Sequence, residues 1–212
     1  FWDLRPEPPR EPPPGPPGFF NQPPRGPTVL PGIYQVTVHG ADGTELEGQL
    51  QVNPDPRSPI TEGDRRDRHA ALLEIYELQK ILVQAGNTAK SLSEQIDVLQ
   101  RHLAIADLGE VAEPSRLVEE MTDRLSEVES DIGSQTSAVD QLLNSIDGYT
   151  SAPRPDDLRQ IDWAFEDITG LVEELNRLAG TDLPALYAEF TAEALWPRAQ
   201  PPIPLPRRPD NE

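Results

Sequence analysis

Three histidines (His39, His69 and His102) and four acidic doublets (Glu119-Glu120, Asp156-Asp157, Glu166-Asp167 and Glu173-Glu174) are the side chains here most able to do chemistry. The histidines stand in a strand, at a helix start and beside a heptad seam, with no His-x-x-x-His or His-Glu-x-x-His pairing of the kind that holds a metal on a helix. Glycoside cleavage needs two carboxylates facing one bond across a concave pocket, with one of them desolvated. Doublets on the outside of a helix satisfy neither condition and read as a solvated face. With no cysteine in the chain, disulfides, thiolate metal sites and cysteine nucleophiles are excluded together. No glycine-rich phosphate loop, Gly-x-Ser-x-Gly elbow or Asp-x-Asp-x-Asp calcium loop is present. The expectation is a chain with no catalytic residue, no metal site and no cofactor.

Two other features invite a binding reading. Tyr149, Trp163 and Phe165 suggest an aromatic patch, although Tyr149 and Phe165 fall on helical seams and read as core. The run Pro201-Pro202-Ile203-Pro204-Leu205-Pro206-Arg207-Arg208 has the form of a proline-rich ligand for an aromatic groove.

Charge narrows the partners. The formal net charge of the 212 residues is −19, which excludes nucleic acid as a partner and disfavours anionic membranes. Residues 1–61 carry 4 basic and 7 acidic side chains, 62–106 carry 6 and 7, 107–196 carry 5 and 21, and 197–212 carry 3 and 2. Nearly all the acidity therefore lies in the later helices. No apolar run approaches the roughly 20 residues that span a bilayer, so no membrane insertion is expected.

The elements that must position these side chains follow from periodicity. Residues 5–31 hold twelve prolines and read as an extended, polyproline-like insert. Beyond it Tyr34, Val36 and Val38 alternate with Gln35, Thr37 and His39, and Leu46, Leu50 and Val52 alternate after the turn dipeptide Asp42-Gly43. That pattern predicts a hairpin. Phe1 to Leu4 reads as a third short strand, and the remaining strands of the β-domain are expected upstream. Pro54, Pro56 and Pro59 end the β-region, and Thr61 with Asp64 predicts a helix cap.

A heptad then runs unbroken through Ala71, Ile75, Leu78, Leu82, Ala85, Ala89, Leu92, Ile96, Leu99, Leu103 and Ala106. After a loop at 107–110, a second seam runs Val118, Met121, Leu125, Val128, Ile132, Gln135, Val139, Leu142, Ile146 and Tyr149, with Gln135 its one polar member. After a second loop at 151–155, a third seam runs Leu158, Ile161, Phe165, Ile168, Val172, Leu175 and Ala179. Gly180 is expected to end that helix and Pro184 to open a short fourth one reaching Trp196. The predicted fold class is α+β, mostly α: a partial Ig-like β-segment (1–57), an antiparallel three-helix coiled-coil bundle with a short fourth helix (61–196), and a disordered proline-rich tail (197–212).

The segments Phe1-Trp2-Asp3-Leu4-Arg5, Leu30-Pro31-Gly32-Ile33-Tyr34-Gln35-Val36-Thr37-Val38, Leu50-Gln51-Val52 and Asp55-Pro56-Arg57 resemble the C-terminal region of bacterial sortilin-like, BNR-repeat β-propeller proteins, a family described as exported glycosyl hydrolases. The resemblance covers about residues 1–110, and the third helix more loosely. It implies that an Ig-like domain follows a propeller absent from this sequence, that any sugar chemistry belongs to that propeller, and that the chain is exported to the periplasm or the medium. It implies an upstream propeller domain as partner, and the heptads add a helix-mediated homo-oligomer. The expected role is a non-catalytic structural and interaction module, with an accessory part shaping a hydrolase's substrate face as the other reading.

Overall fold

The computed structural model describes residues 2–9, 26–105, 112–189 and 202–207. Two strands, β1 (Gly32–His39) and β2 (Glu45–Val52), precede four helices: α1 (Glu62–Ile105), α2 (Ala112–Asp147), α3 (Pro155–Arg177) and α4 (Leu183–Glu189), with a π turn over Leu178–Asp182 between the last two.

The hairpin forms as its alternation predicts. Tyr34 pairs with Leu50, Val36 with Gly48 and Val38 with Leu46, so these six share one face. The turn rests on Gly43, whose φ of +83° suits glycine, and on the Asp42 carboxylate, which accepts from the Thr44 amide and hydroxyl. Among the described residues the predicted third strand does not join this two-stranded sheet; Phe1 lies outside them. Leu4 adopts φ 64°, and Asp3 accepts the Arg5 amide, so the chain turns where a strand would have to stay extended. A ladder-like bond runs from the Val29 amide to the Leu4 carbonyl.

α1 begins where its cap residues say it should: the Asp64 amide donates to Thr61 Oγ1 at 3.1 Å. With 44 residues it is about 66 Å long. Every predicted seam residue from Ala71 to Leu103 is buried against α2, whose own seam from Val118 to Ile146 is buried except at half-exposed Gln135. Ala106 and the 107–110 loop lie outside the described residues. α3 packs against both long helices, and the buried stripe of α1 is wider than strict a and d positions, taking in Leu72, Gln79 and Ile81, with Gln79 bonded to Asp140 of α2.

Two seam assignments are corrected. Tyr149 is 63% exposed because α2 stops at Asp147 and Gly148 takes the chain off the helical phase. Leu158 is 47% exposed because Asp157 takes the inward position, and the buried phase of α3 runs Asp157, Ile161, Ala164, Ile168, Leu171, Leu175.

The third helix does not end at Gly180. A glycine stop needs positive φ, which Gly180 lacks, and the chain passes instead through the π turn into α4. Pro184 has no amide hydrogen to continue an α-helical ladder, and a wider turn accommodates that gap. The remainder of the expected fourth helix, 190–196, lies outside the described residues. The tail also departs from the expected disorder at 202–207, where Ile203 is only 6% exposed and part of the core; 197–201 and 208–212 lie outside the described residues.

Candidate functional site

The described residues gather most of their long-range polar contacts at the base of the bundle, where α1 begins, α2 ends and the segments 2–9 and 26–31 cross between hairpin and helices. α2 carries no basic residue in its last turn, so its terminal carbonyls have no cation of their own. Two arginines from elsewhere supply it. Arg68 donates to the Ile146 carbonyl at 3.1 Å, to the Asp147 carbonyl at 2.7 Å and to the Asp147 carboxylate at 2.9 Å. Arg5 donates to the other carboxylate oxygen of Asp147 at 3.3 Å and to the Gly26 carbonyl.

Gly26 is there for closeness. A Cβ on it would stand 2.4 Å from Pro6 Cγ, so only glycine lets the two extended segments cross. His69 Nδ1 meets the Thr28 carbonyl at 3.0 Å, and Tyr76 donates to the Glu7 carbonyl at 2.9 Å. Burial lowers the His69 pKa below the ordinary histidine value, against the opposing effect of the Thr28 bond. Trp2 donates from Nε1 to the Arg5 carbonyl and packs edge-on to Tyr34, centroids 6.0 Å apart. The residues Trp2, Asp3, Leu4 and Arg5 thus form one turned clamp that touches hairpin and bundle together.

Between residues 30–31, the 54–60 connection and the start of α1 lies an open cleft of about 530 Å³, lined by Pro31, Pro54, Pro56, Ile60, Arg65 and Arg66 among others. A second hollow of about 290 Å³, reaching Leu72 and His69, adjoins it. Arg66 is engaged by Glu62, and Arg57 turns back on Asp55 with two side-chain bonds of 3.1 Å. Asp55, Glu62 and Ser58 also line the cleft, and the two carboxylates are engaged by Arg57 and Arg66 respectively.

The histidines and acidic doublets remain apart. His39 stands exposed on β1, 3.9 Å from Glu45, His69 is at the base, and the His102 side chain lies outside the described residues. Among the described residues no group of three or more such side chains is placed to hold a metal ion, and no helix is long and apolar enough to cross a membrane. Glu119, Glu120, Glu166 and Asp167 lie on exposed surfaces as expected.

Two doublets do not fit the solvated-face reading. Asp157 is 4% exposed and accepts the Arg154 amide at 2.9 Å and its guanidinium at 2.8 Å, which holds its carboxyl below the usual carboxylate range. Glu174 is lowered likewise, chiefly by Arg177 and then by Arg124, which also reaches Asp182 at 2.6 Å. The aromatic patch does not assemble: Trp163 is 59% exposed, Tyr149 is exposed, and only Phe165 packs against the core.

Periodicity gave no warning of two of these contacts. The Arg68–Asp147 clamp joins residues far apart in the chain, and Asn176 binds both backbone groups of Ile203 at 2.9 and 3.1 Å. Polar residues that act across elements leave no repeat in a sequence, and nothing in the spacing of Arg65, Arg66 and Arg68 marks out the one that caps α2. No protein-family model, curated protein or solved structure matches the chain.

Proposed function

We propose that this chain is a non-catalytic structural and interaction module, the C-terminal region of a larger exported bacterial propeller protein, in which the hairpin joins the rest of an Ig-like domain and the bundle forms a rigid arm. The observation that carries the reading is the apolar face of the hairpin. On it Val36 is 38%, Val38 56%, Leu46 68% and Leu50 40% exposed, and the helices do not cover it.

An isolated two-stranded hairpin is marginal in water, and a contiguous apolar face with free backbone edges is a surface that wants further strands. The opposite face, with Gln35, Thr37, Glu47 and Gln49, is polar apart from exposed Ile33 at its end. Half of a β-sandwich has this two-sided character. The propeller and the export rest on the resemblance of the clamp and hairpin residues to that family.

Amide hydrogen exchange tests the module directly. In a parent protein carrying the upstream domains, amides of residues 32–52 exchange at least about ten-fold more slowly than in this chain alone. Val38→Asp with Leu46→Asp removes that protection while the helices keep theirs. Equal exchange in both contexts would overturn the reading.

A further inference from the structure

The bundle holds a short extended segment by its backbone, and the manner of holding is that of a recognition site. Asn176, half-buried near the end of α3, accepts the Ile203 amide at Oδ1 and donates from Nδ2 to the Ile203 carbonyl, at 2.9 and 3.1 Å. One side-chain amide thus reproduces a rung of a β-ladder.

The flanking residues leave little else to bond. Pro202 and Pro204 have no amide hydrogen, so the Ile203 amide is the only donor in the triplet, and Asn176 takes it. The Ile203 side chain is 6% exposed within the core cluster, whereas Leu205 is 42% exposed and Pro202 and Pro204 face solvent. Recognition therefore reads one aliphatic side chain, one pair of backbone groups and a fixed extended path. Proline on both sides pre-sets that path and lowers the entropy lost on binding.

We propose that the Asn176 face of α3 is a peptide-binding site for extended, proline-flanked aliphatic segments, and that residues 202–207 are its tethered occupant. Nothing in this rests on the hairpin or on the propeller resemblance. Tethering sets the strength required. Residues 190–201 join α4 to the seated segment, and for an effective concentration in the millimolar range a segment that stays seated in cis has a dissociation constant in trans below about 1 mM.

The test uses the full chain with Ile203→Ser, which empties the site, and a labelled peptide of the sequence Pro202 to Arg207 added in trans. Fluorescence polarisation is expected to give saturable binding below about 1 mM. The unaltered chain binds at least about ten-fold more weakly, because its own tail competes. Asn176→Leu in the Ile203→Ser background abolishes binding, and so does replacing the peptide's isoleucine by serine. Unchanged helicity with no saturable binding, or binding that survives Asn176→Leu, would overturn the proposal.

Because Ile203→Ser removes a core side chain, a protease site placed within 197–200 of the otherwise unaltered chain gives a second reading. After cleavage the tail peptide stays with the bundle on gel filtration at high concentration and is displaced by excess free peptide. Immediate loss with no rebinding would count equally against the site. A peptide from another copy seated in place of the chain's own tail would appear as concentration-dependent dimers that excess peptide dissolves; this too would confirm the Asn176 site.

Discussion

Arg68, in the second turn of α1, caps the C-terminal end of α2 by donating to both the backbone carbonyl and the carboxylate of Asp147, at 2.7 and 2.9 Å. The two side chains are only 20% and 30% exposed, so solvent screens this contact less than it screens a surface ion pair. It joins the first and last levels of the helical hairpin and fixes where α2 must stop.

Replacing Arg68 by alanine strands two carbonyls and half of a carboxylate's bonding. The expected loss is about 2–3 kcal/mol in urea unfolding, with faster amide exchange confined to the last turn of α2. Arg68→Lys recovers less than half of it, since one ammonium cannot span the Ile146 and Asp147 carbonyls as the guanidinium fork does. Full recovery by lysine would mean that charge alone matters there.

The seams make a contrasting pair of predictions. Leu92 and Ile168 have no exposed surface, and alanine at either costs about 2–5 kcal/mol through lost burial and an unfilled cavity. Tyr149 and Leu158 occupy positions that the same 3–4 spacing assigns to the core, yet both are largely exposed. Alanine at either changes stability by no more than about 0.5 kcal/mol. A large loss at Tyr149 would restore it to the core.

That contrast shows what kind of information the sequence carried. Ala71 to Leu103 could be placed from spacing because a coiled-coil seam is a local repeat that the partner helix only completes. Tyr149 and Leu158 were misplaced because phase is lost at helix ends: Gly148 releases one from the helix, and Asp157, held by Arg154, takes the inward position beside the other. The base of the bundle was half legible. Thr61 and Asp64 announce their cap, but Arg5, Arg68 and Asp147 meet only through the tertiary fold. Ile203 looked like part of a solvated tail because proline-rich composition speaks against a packed core, and one aliphatic side chain with one asparagine opposite suffices to seat it.

Gln79 offers a test of buried polarity. It is 4% exposed; Nε2 donates to Asp140 at 2.8 Å, while Oε1 is buried with no partner. An unmet acceptor costs about 1–3 kcal/mol, which offsets what the Asp140 bond contributes. Gln79→Met keeps the volume and removes that cost, so stability is expected to hold or rise by about 1 kcal/mol. A fall of more than 2 kcal/mol, measured by thermal and urea melts together, would show that the amide fixes helix register and that its bond outweighs the unmet oxygen.

Stability should depend on pH in two windows, both with the same sign. The His69 pKa is lowered by burial, so below the ordinary histidine value of 6.5 the unfolded chain takes up a proton that the folded one resists. Stability contributed by neutral His69 is complete above that value and falls away as pH drops through the folded pKa. Asp157 and Glu174 are lowered by their arginines from 3.8 and 4.5, so their contribution is present above those values and is lost as pH falls below them. The urea midpoint is therefore expected to be flat above about pH 7, to decline first below pH 6.5, and to decline again below about pH 4.5. His69→Gln flattens the first decline and leaves the second; Asp157→Asn lowers stability at neutral pH and weakens the second. A first decline that persists in His69→Gln would assign it to a group other than the imidazole beside Thr28.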